Sequence, residues 1–135
     1  MPEIKEYGER KQEEASETIE ICEGLPIRFF LKKKIKRNGS ETEEIVGRGG
    51  IHGIGNGIFR ICEIYVDESE RGKGYGSKLL RAMEEYARES GGRKIGGEVT
   101  LGLSDTVEFF KRNGYEVREP PTGIWIDEYQ EVWVE

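Results

Sequence analysis

Ile58-Phe59-Arg60-Ile61-Cys62-Glu63-Ile64-Tyr65-Val66, then after four polar residues Arg71-Gly72-Lys73-Gly74-Tyr75-Gly76-Ser77, is the stretch on which the fold turns. The first part reads as an apolar central strand, and the residues after Gly76 begin a helix. Glycines at 72, 74 and 76 leave backbone N–H groups uncovered where that helix starts. A helix N-terminus carries roughly half a positive charge and several unpaired donors, so the turn suits an anion. Arg71 and Lys73 add charge beside it. A phosphate-bearing cofactor is the expected ligand. The plainer alternative is that the glycines only make a tight strand-to-helix turn.

Two familiar phosphate loops fail on spacing. A Walker A loop needs a glycine four residues ahead of Gly-Lys-Ser/Thr, and no such run exists here. A dinucleotide fingerprint needs a glycine three after the second, where this chain has Ser77. That fingerprint also opens a doubly wound sheet, whereas 57 residues, largely strand-like, precede Ile58 here.

Working outward, Thr18–Cys22 reads as a short strand, broken by Gly24 and Pro26. Ile27–Ile35 and Glu44–Ile51 read as two strands joined around Asn38-Gly39, the strongest short hairpin signal. Glycines at 47, 49, 50, 53, 55 and 57 predict a flexible connection into the central strand. Leu79, Leu80, Met83, Tyr86 and Ala87 share one face of a helix over Ser77–Ser90, closed by Gly91-Gly92. Lys94–Leu101 is the next strand. Asp105 and Glu108 predict a capping box for a helix ending near Asn113, with Gly114 as its left-handed stop. Tyr115–Arg118 and Ile124–Val134 complete a mixed α/β (α+β) pattern, mainly strand first and helix after.

Composition bounds the rest. The chain's 135 residues suit one domain. Charged residues make up 36% and apolar residues 35%, which predicts a lean core beneath a heavily solvated exterior. Within residues 1–23, eight glutamates face Lys5, Arg10 and Lys11, a balance of −5 out of the chain's −6. Residues 1–16 are therefore expected to form an acidic N-terminal arm or short helix, and residues 17–135 the single domain. No basic stripe offers itself to nucleic acid, and no apolar run is long enough to cross a bilayer. Cys22 and Cys62 lack metal spacing, so no metal is expected and a reduced, cytoplasmic setting is the default. The single histidine, His52, reads as surface or loop.

Arg71, Gly74 and Gly76 meet the pattern Arg/Gln-x-x-Gly-x-Gly/Ala, and here the chain resembles the GNAT superfamily of acetyl-CoA-dependent N-acetyltransferases. Glu63-Ile64-Tyr65-Val66-Asp67 resembles the family's fourth strand and its acidic exit, and Val107–Tyr115 its closing helix with a Gly-aromatic end. The resemblance implies a largely antiparallel twisted sheet with flanking helices. It also implies transfer of an acetyl group from acetyl-CoA directly to a primary amine. In the family two helices separate the first and second strands and wall the acceptor site. Here the corresponding segment reads mostly as hairpin, so it is either shortened or replaced by residues 1–16.

By the same resemblance, the amides of Gly72, Lys73, Gly74, Tyr75, Gly76 and Ser77, with Arg71, receive the pyrophosphate. Main-chain groups of Ile64, Tyr65 and Val66 pair with the pantetheine arm, and the Val66 amide is the oxyanion donor. An amine at neutral pH must shed a proton. Glu98, twelve residues before Phe110, matches the spacing of a glutamate in the ribosomal-protein alanine acetyltransferases and is the candidate general base. Strand alternation sets Glu63 on the face opposite Arg60 and Cys62, the positions that face the acceptor in relatives. Phe110 stands where the family usually places a tyrosine as general acid, and Leu103 where an asparagine is common. Tyr75, Tyr115 and Tyr129 are substitutes that cannot be ranked. A CoA-binding module without transferase activity is the alternative. The relatives' habit of pairing through their last strands implies that Ile124-Trp125-Ile126 and Val132-Trp133-Val134 either supply apolar area for a homodimer or belong to the core.

Overall fold

The computed structural model describes residues 13–99, 104–118 and 124–127. They form one seven-stranded sheet in the order β1-β2-β3-β4-β5-β7-β6. Its strands are β1 (Glu13–Cys22), β2 (Ile27–Arg37), β3 (Ser40–Gly55), β4 (Ile58–Val66), β5 (Lys94–Val99), β6 (Glu116–Arg118) and β7 (Ile124–Asp127). Every neighbouring pair is antiparallel except β4 and β5. Two helices accompany it, α1 (Tyr75–Glu89) and α2 (Ser104–Arg112). The expected mixed, largely antiparallel sheet with flanking helices is the fold observed.

The hairpin between β2 and β3 turns on Asn38 and Gly39, both with positive φ, as the Asn-Gly pair requires. Asn56-Gly57 repeats the device between β3 and β4, with φ of 58° and 74°. The glycine-rich run is therefore no flexible connection; it lies inside β3. Its glycines admit the helix instead. A Cβ on Gly47 would stand 3.0 Å from Leu79 Cδ1, and one on Gly49 2.8 Å from Met83 Sδ. The core sits between this face of the sheet and α1, where Phe29, Leu31, Ile51, Leu79, Leu80, Met83 and Ile95 are fully buried. Each large side chain among them contributes about 1.5–3 kcal/mol by leaving water.

Several expected boundaries move. The first strand begins at Glu13, so Glu13–Ser16 belong to the sheet and not to an arm. Long-range pairing decides this: Glu13 to Glu17 oppose Arg37 to Lys33 of β2. Helix α1 starts at Tyr75, two residues early, because Gly74 already holds the left-handed turn that ends the loop. Asp105 lies within α2, which starts at Ser104, so it does not cap that helix. Gly91 and Gly114 take left-handed φ after α1 and α2, as expected.

Glu84 on α1, absent from the expected core, is only 3% exposed. It accepts from Arg81 Nη1 at 2.6 Å and from Tyr115 Oη at 2.6 Å, while Arg81 Nη2 donates to the Asn113 carbonyl at 3.1 Å. A carboxylate leaves water only with such donors around it. The network ties α1 to the end of α2.

The first and second strands are joined directly, through the turn at residues 23–26. The segment is thus shortened, and among the described residues no helix covers the sheet face opposite α1. That face carries Arg28, Arg48, His52, Arg60, Glu63 and Tyr65. Residues 1–12, Leu103, Tyr129 and the Val132–Val134 run lie outside the described residues. Ile124–Asp127 is an interior strand between β5 and β6, with both edges already paired.

Candidate active site

β4 and β5 run side by side only from Ile58–Arg60 and Lys94–Gly96. They still touch at the next residues, where a Cβ on Gly97 would be 3.1 Å from the Ile61 carbonyl. Beyond that point β4 pairs with β3 and β5 with β7, and the sheet splays. Asp67 N donates to the Val46 carbonyl at 2.9 Å. Gly47 and Val66 are therefore a non-hydrogen-bonded pair, and so are Gly49 and Ile64 two residues on. The N–H and C=O groups of Ile64 and Val66 consequently point away from β3 and into the opening. Those of Tyr65 are turned toward Arg48 of β3, so Tyr65 offers its ring in place of the main-chain contact expected of it.

The opening continues into a cleft of ≈ 430 Å³ at the N-terminus of α1. All the expected cofactor residues line it except Lys73, whose Nζ is held by Glu70 Oε1 at 2.9 Å. The three glycines of the loop have separate reasons. Gly72 and Gly74 have φ of +80° and +83°, which L side chains resist. Gly76 has ordinary φ, but a Cβ there would stand 2.9 Å from Phe109 Cε1. Gly74 caps α1 without a side-chain hydrogen bond. Among the described residues no protein group accepts from the amides of residues 72–77. A run of unspent donors at the positive end of a 15-residue helix fits a diphosphate.

Charge around the cleft is organised in pairs. Arg71 Nε donates to the Val66 carbonyl at 2.9 Å, closing the end of β4, and its guanidinium lies 5.5 Å from the Tyr65 ring. Arg48 lies 4.6 Å from the same ring, where cation–π attraction operates. Hydrogen bonds from Lys73 and then Lys33 hold the Glu70 carboxyl below its ordinary range, and Glu70 in turn raises Lys33.

Glu70, Thr106, Phe109 and Arg112 also line the cleft and were not anticipated. The last three recur at i, i+3 and i+6 on α2, a helical stripe visible in the sequence. Phe110 is buried in the core, its ring 5.3 Å from that of Tyr115, and does not line the cleft. Tyr115 donates its hydroxyl to Glu84 and does not line the cleft, whereas Tyr75 does. Glu98 lies in β5 opposite Trp125 of β7, and the position of its carboxylate is outside the described residues.

One expectation on the bare face is corrected, and another, of His52 as surface or loop, is narrowed to the surface of the sheet. Gly50 opposes Glu63 but Ile51 opposes Ile61, so Cys62 is an extra residue, a β-bulge. The bulge resets the alternation and places Glu63 on the same face as Arg60, where Arg48 Nε holds it at 3.0 Å. His52 is no loop residue: it lies in β3 opposite Arg60, with Nδ1 3.0 Å from Cys62 Sγ.

A family model for the GNAT acetyltransferases matches residues 3–115. The chain belongs to the GNAT acetyltransferase family. Over 71 residues it is 37% identical to an uncharacterized N-acetyltransferase of Methanocaldococcus jannaschii, a segment that is 51% of this chain and 30% of that relative. The chain thus matches under a third of that protein's length. In fold it is similar to a GNAT family acetyltransferase from Elizabethkingia anophelis with acetyl-CoA bound, at TM-score 0.58, 16% identity and 73% and 75% coverage of the two chains. An N-acetyltransferase from Thermoplasma acidophilum in complex with coenzyme A gives TM-score 0.58, 16% identity and coverage of 73% and 60%. Both likenesses are of fold.

Proposed function

We infer that this GNAT protein moves an acetyl group from acetyl-CoA directly to a primary amine, on a small molecule or a peptide. The observation that carries the reading is the row of acceptor-free amides at Gly72–Ser77, continuous with the splayed edge of β4. Those amides and Arg71 hold the diphosphate, and the main-chain groups of Ile64 receive the pantetheine arm as an added strand would be received. Bound there, acetyl-CoA supplies an activated acyl carbon. The Val66 N–H points into the splay and stabilises the oxyanion. Glu98 is the carboxylate expected to take the amine's proton, and positioning supplies much of the rate. The free thiols of Cys22 and Cys62 suit a reducing cytoplasm.

A CoA-binding module without transfer is favoured by one observation: Phe110, at the position where the resemblance implies a tyrosine as general acid, is buried in the core and carries no hydroxyl. Thermal stabilisation by acetyl-CoA, followed by thiol release with a panel of amines, separates the readings. Stabilisation is about 2.7 kcal/mol at a hundredfold excess over the dissociation constant. Stabilisation with turnover establishes the transferase, and stabilisation without turnover establishes the module. No stabilisation at millimolar acetyl-CoA refutes both.

A further inference from the structure

We propose that Arg112 holds the 3′-phosphate of the donor's adenosine, so that the cleft selects coenzyme A over a donor that lacks this phosphate. The proposal rests on the reading of acetyl-CoA as the ligand of this cleft, and it applies to a transferase and to a binding module alike.

The course of α2 sets the place. A Cβ on Gly76 would stand 2.9 Å from Phe109 Cε1, so Phe109 overhangs the loop that takes the diphosphate. Further on, Arg81 Nη2 reaches the Asn113 carbonyl at 3.1 Å, so α2 passes Gly76 and then follows α1 away from its mouth. Thr106 lies before Phe109 and Arg112 after it, each about 4.5 Å away along the helix axis. All three line the cleft. The acyl end of the donor leads from the loop to the splay between β4 and β5. Strand β5 ends at Val99 and α2 begins at Ser104, so the N-terminal end of α2 is the one tied to the splay. Arg112, at the other end, stands on the side where the adenosine leaves the loop. In coenzyme A the 3′-phosphate sits on the same ribose that carries the diphosphate, so it lies within one sugar of that loop.

Charge singles out the same residue. Arg71 Nε donates to the Val66 carbonyl, Lys33 and Lys73 share Glu70, and Lys78 donates to Glu17. Arg112 lines the cleft, and among the described residues no carboxylate or carbonyl holds its guanidinium. A basic residue in the last turn of a helix complements the dipole. Lys111 shares that role and faces Glu108 at 4.0 Å, but of the two only Arg112 lines the cleft. A phosphate monoester brings three acceptor oxygens and a charge of about −1.5 to −2 at neutral pH. A guanidinium meets two of those oxygens at once. The field at the mouth of α1 falls off within its first turn, so a second phosphate beside the flank of α1 needs a cation of its own.

Calorimetry compares acetyl-CoA with acetyl-dephospho-CoA, which differs only by the 3′-phosphate, in the wild type, Arg112→Gln and Lys111→Gln. The wild type is expected to bind acetyl-CoA roughly tenfold more tightly at low ionic strength, a preference that shrinks as salt is raised. Arg112→Gln is expected to lose the preference by weakening acetyl-CoA alone, and Lys111→Gln to keep it. Arg112→Met serves as the second variant if the first fails to fold. A residue that only shapes the cleft would weaken both donors alike, so an equal loss for the two overturns the proposal. Equal binding of both donors by the wild type overturns it and leaves the acetyl-CoA reading standing. A preference that survives Arg112→Gln, or that disappears in Lys111→Gln instead, places the phosphate elsewhere and overturns it equally. A wild type that binds neither donor sinks the acetyl-CoA reading itself, and this role with it.

Discussion

Gly74→Ala tests the cofactor loop most directly. Gly74 sits at φ 83°, ψ 9°, and a Cβ there would meet no atom within 4 Å. The cost is therefore purely one of backbone conformation, about 1–2 kcal/mol for an L residue held in the left-handed region. It can surface in two ways. If the variant keeps the loop, the folded state loses that amount, and the thermal midpoint falls by about 3–8 °C for a chain of this size. Acetyl-CoA then binds as before. If the loop relaxes, stability is nearly unchanged, the amides turn away from the cleft, and affinity falls roughly five- to thirtyfold. The two losses must add to about 1–2 kcal/mol, which thermal unfolding and calorimetry on the same preparation measure together. Gly39→Ala is the control: φ is again +83° with nothing within 4 Å, but the turn lies in a distant hairpin. It should lose stability and bind acetyl-CoA normally. The reasoning is refuted if Gly74→Ala leaves both quantities unchanged, or if Gly39→Ala weakens binding.

Gly76→Ala should act through the cleft and not the backbone, because its new methyl displaces the Phe109 ring from 2.9 Å; weaker acetyl-CoA binding by calorimetry, with little change in thermal midpoint, is the expected result. Tyr115→Phe removes a donor from buried Glu84 and should cost about 1–3 kcal/mol, read from the urea midpoint at constant slope, with acetyl-CoA affinity intact. Glu70 gives a pH signature. Its carboxyl is held low by Lys73 and Lys33, so its contribution is complete above the ordinary glutamate pKa and drains away as pH falls through the lowered value. The midpoint gap between wild type and Glu70→Gln should be constant above about pH 5 and should close toward pH 3; a gap that widens on acidification contradicts the assignment.

Reading the chain went furthest where the physics is local. Asn38-Gly39 makes its turn because both residues tolerate positive φ. Gly91 and Gly114 stop their helices for the same reason, and Leu79, Leu80, Met83 and Ala87 repeat at the helical period wherever the helix packs. The glycine loop was legible on the same terms, since strand, turn and helix follow one another within twenty residues. Asn56-Gly57 and the Thr106–Phe109–Arg112 stripe are equally local signals, present in the sequence.

Pairing between distant segments decided the rest. Gly47 and Gly49 read as a flexible run until Leu79 and Met83, more than thirty residues away, need their space. Glu84 looks like a solvated helix residue until Arg81 and Tyr115 supply it with donors. Alternation along β4 holds only until Cys62 is left without a partner on β3, and that one unpaired residue moves Glu63 across the sheet. The imidazole of His52 acquires its thiol neighbour only because β3 and β4 lie in one register. Dihedral preference and periodicity act within a few residues and can be read from the chain alone. Register, bulges and the neighbours of a buried charge depend on which strands meet, and only the folded sheet determines that.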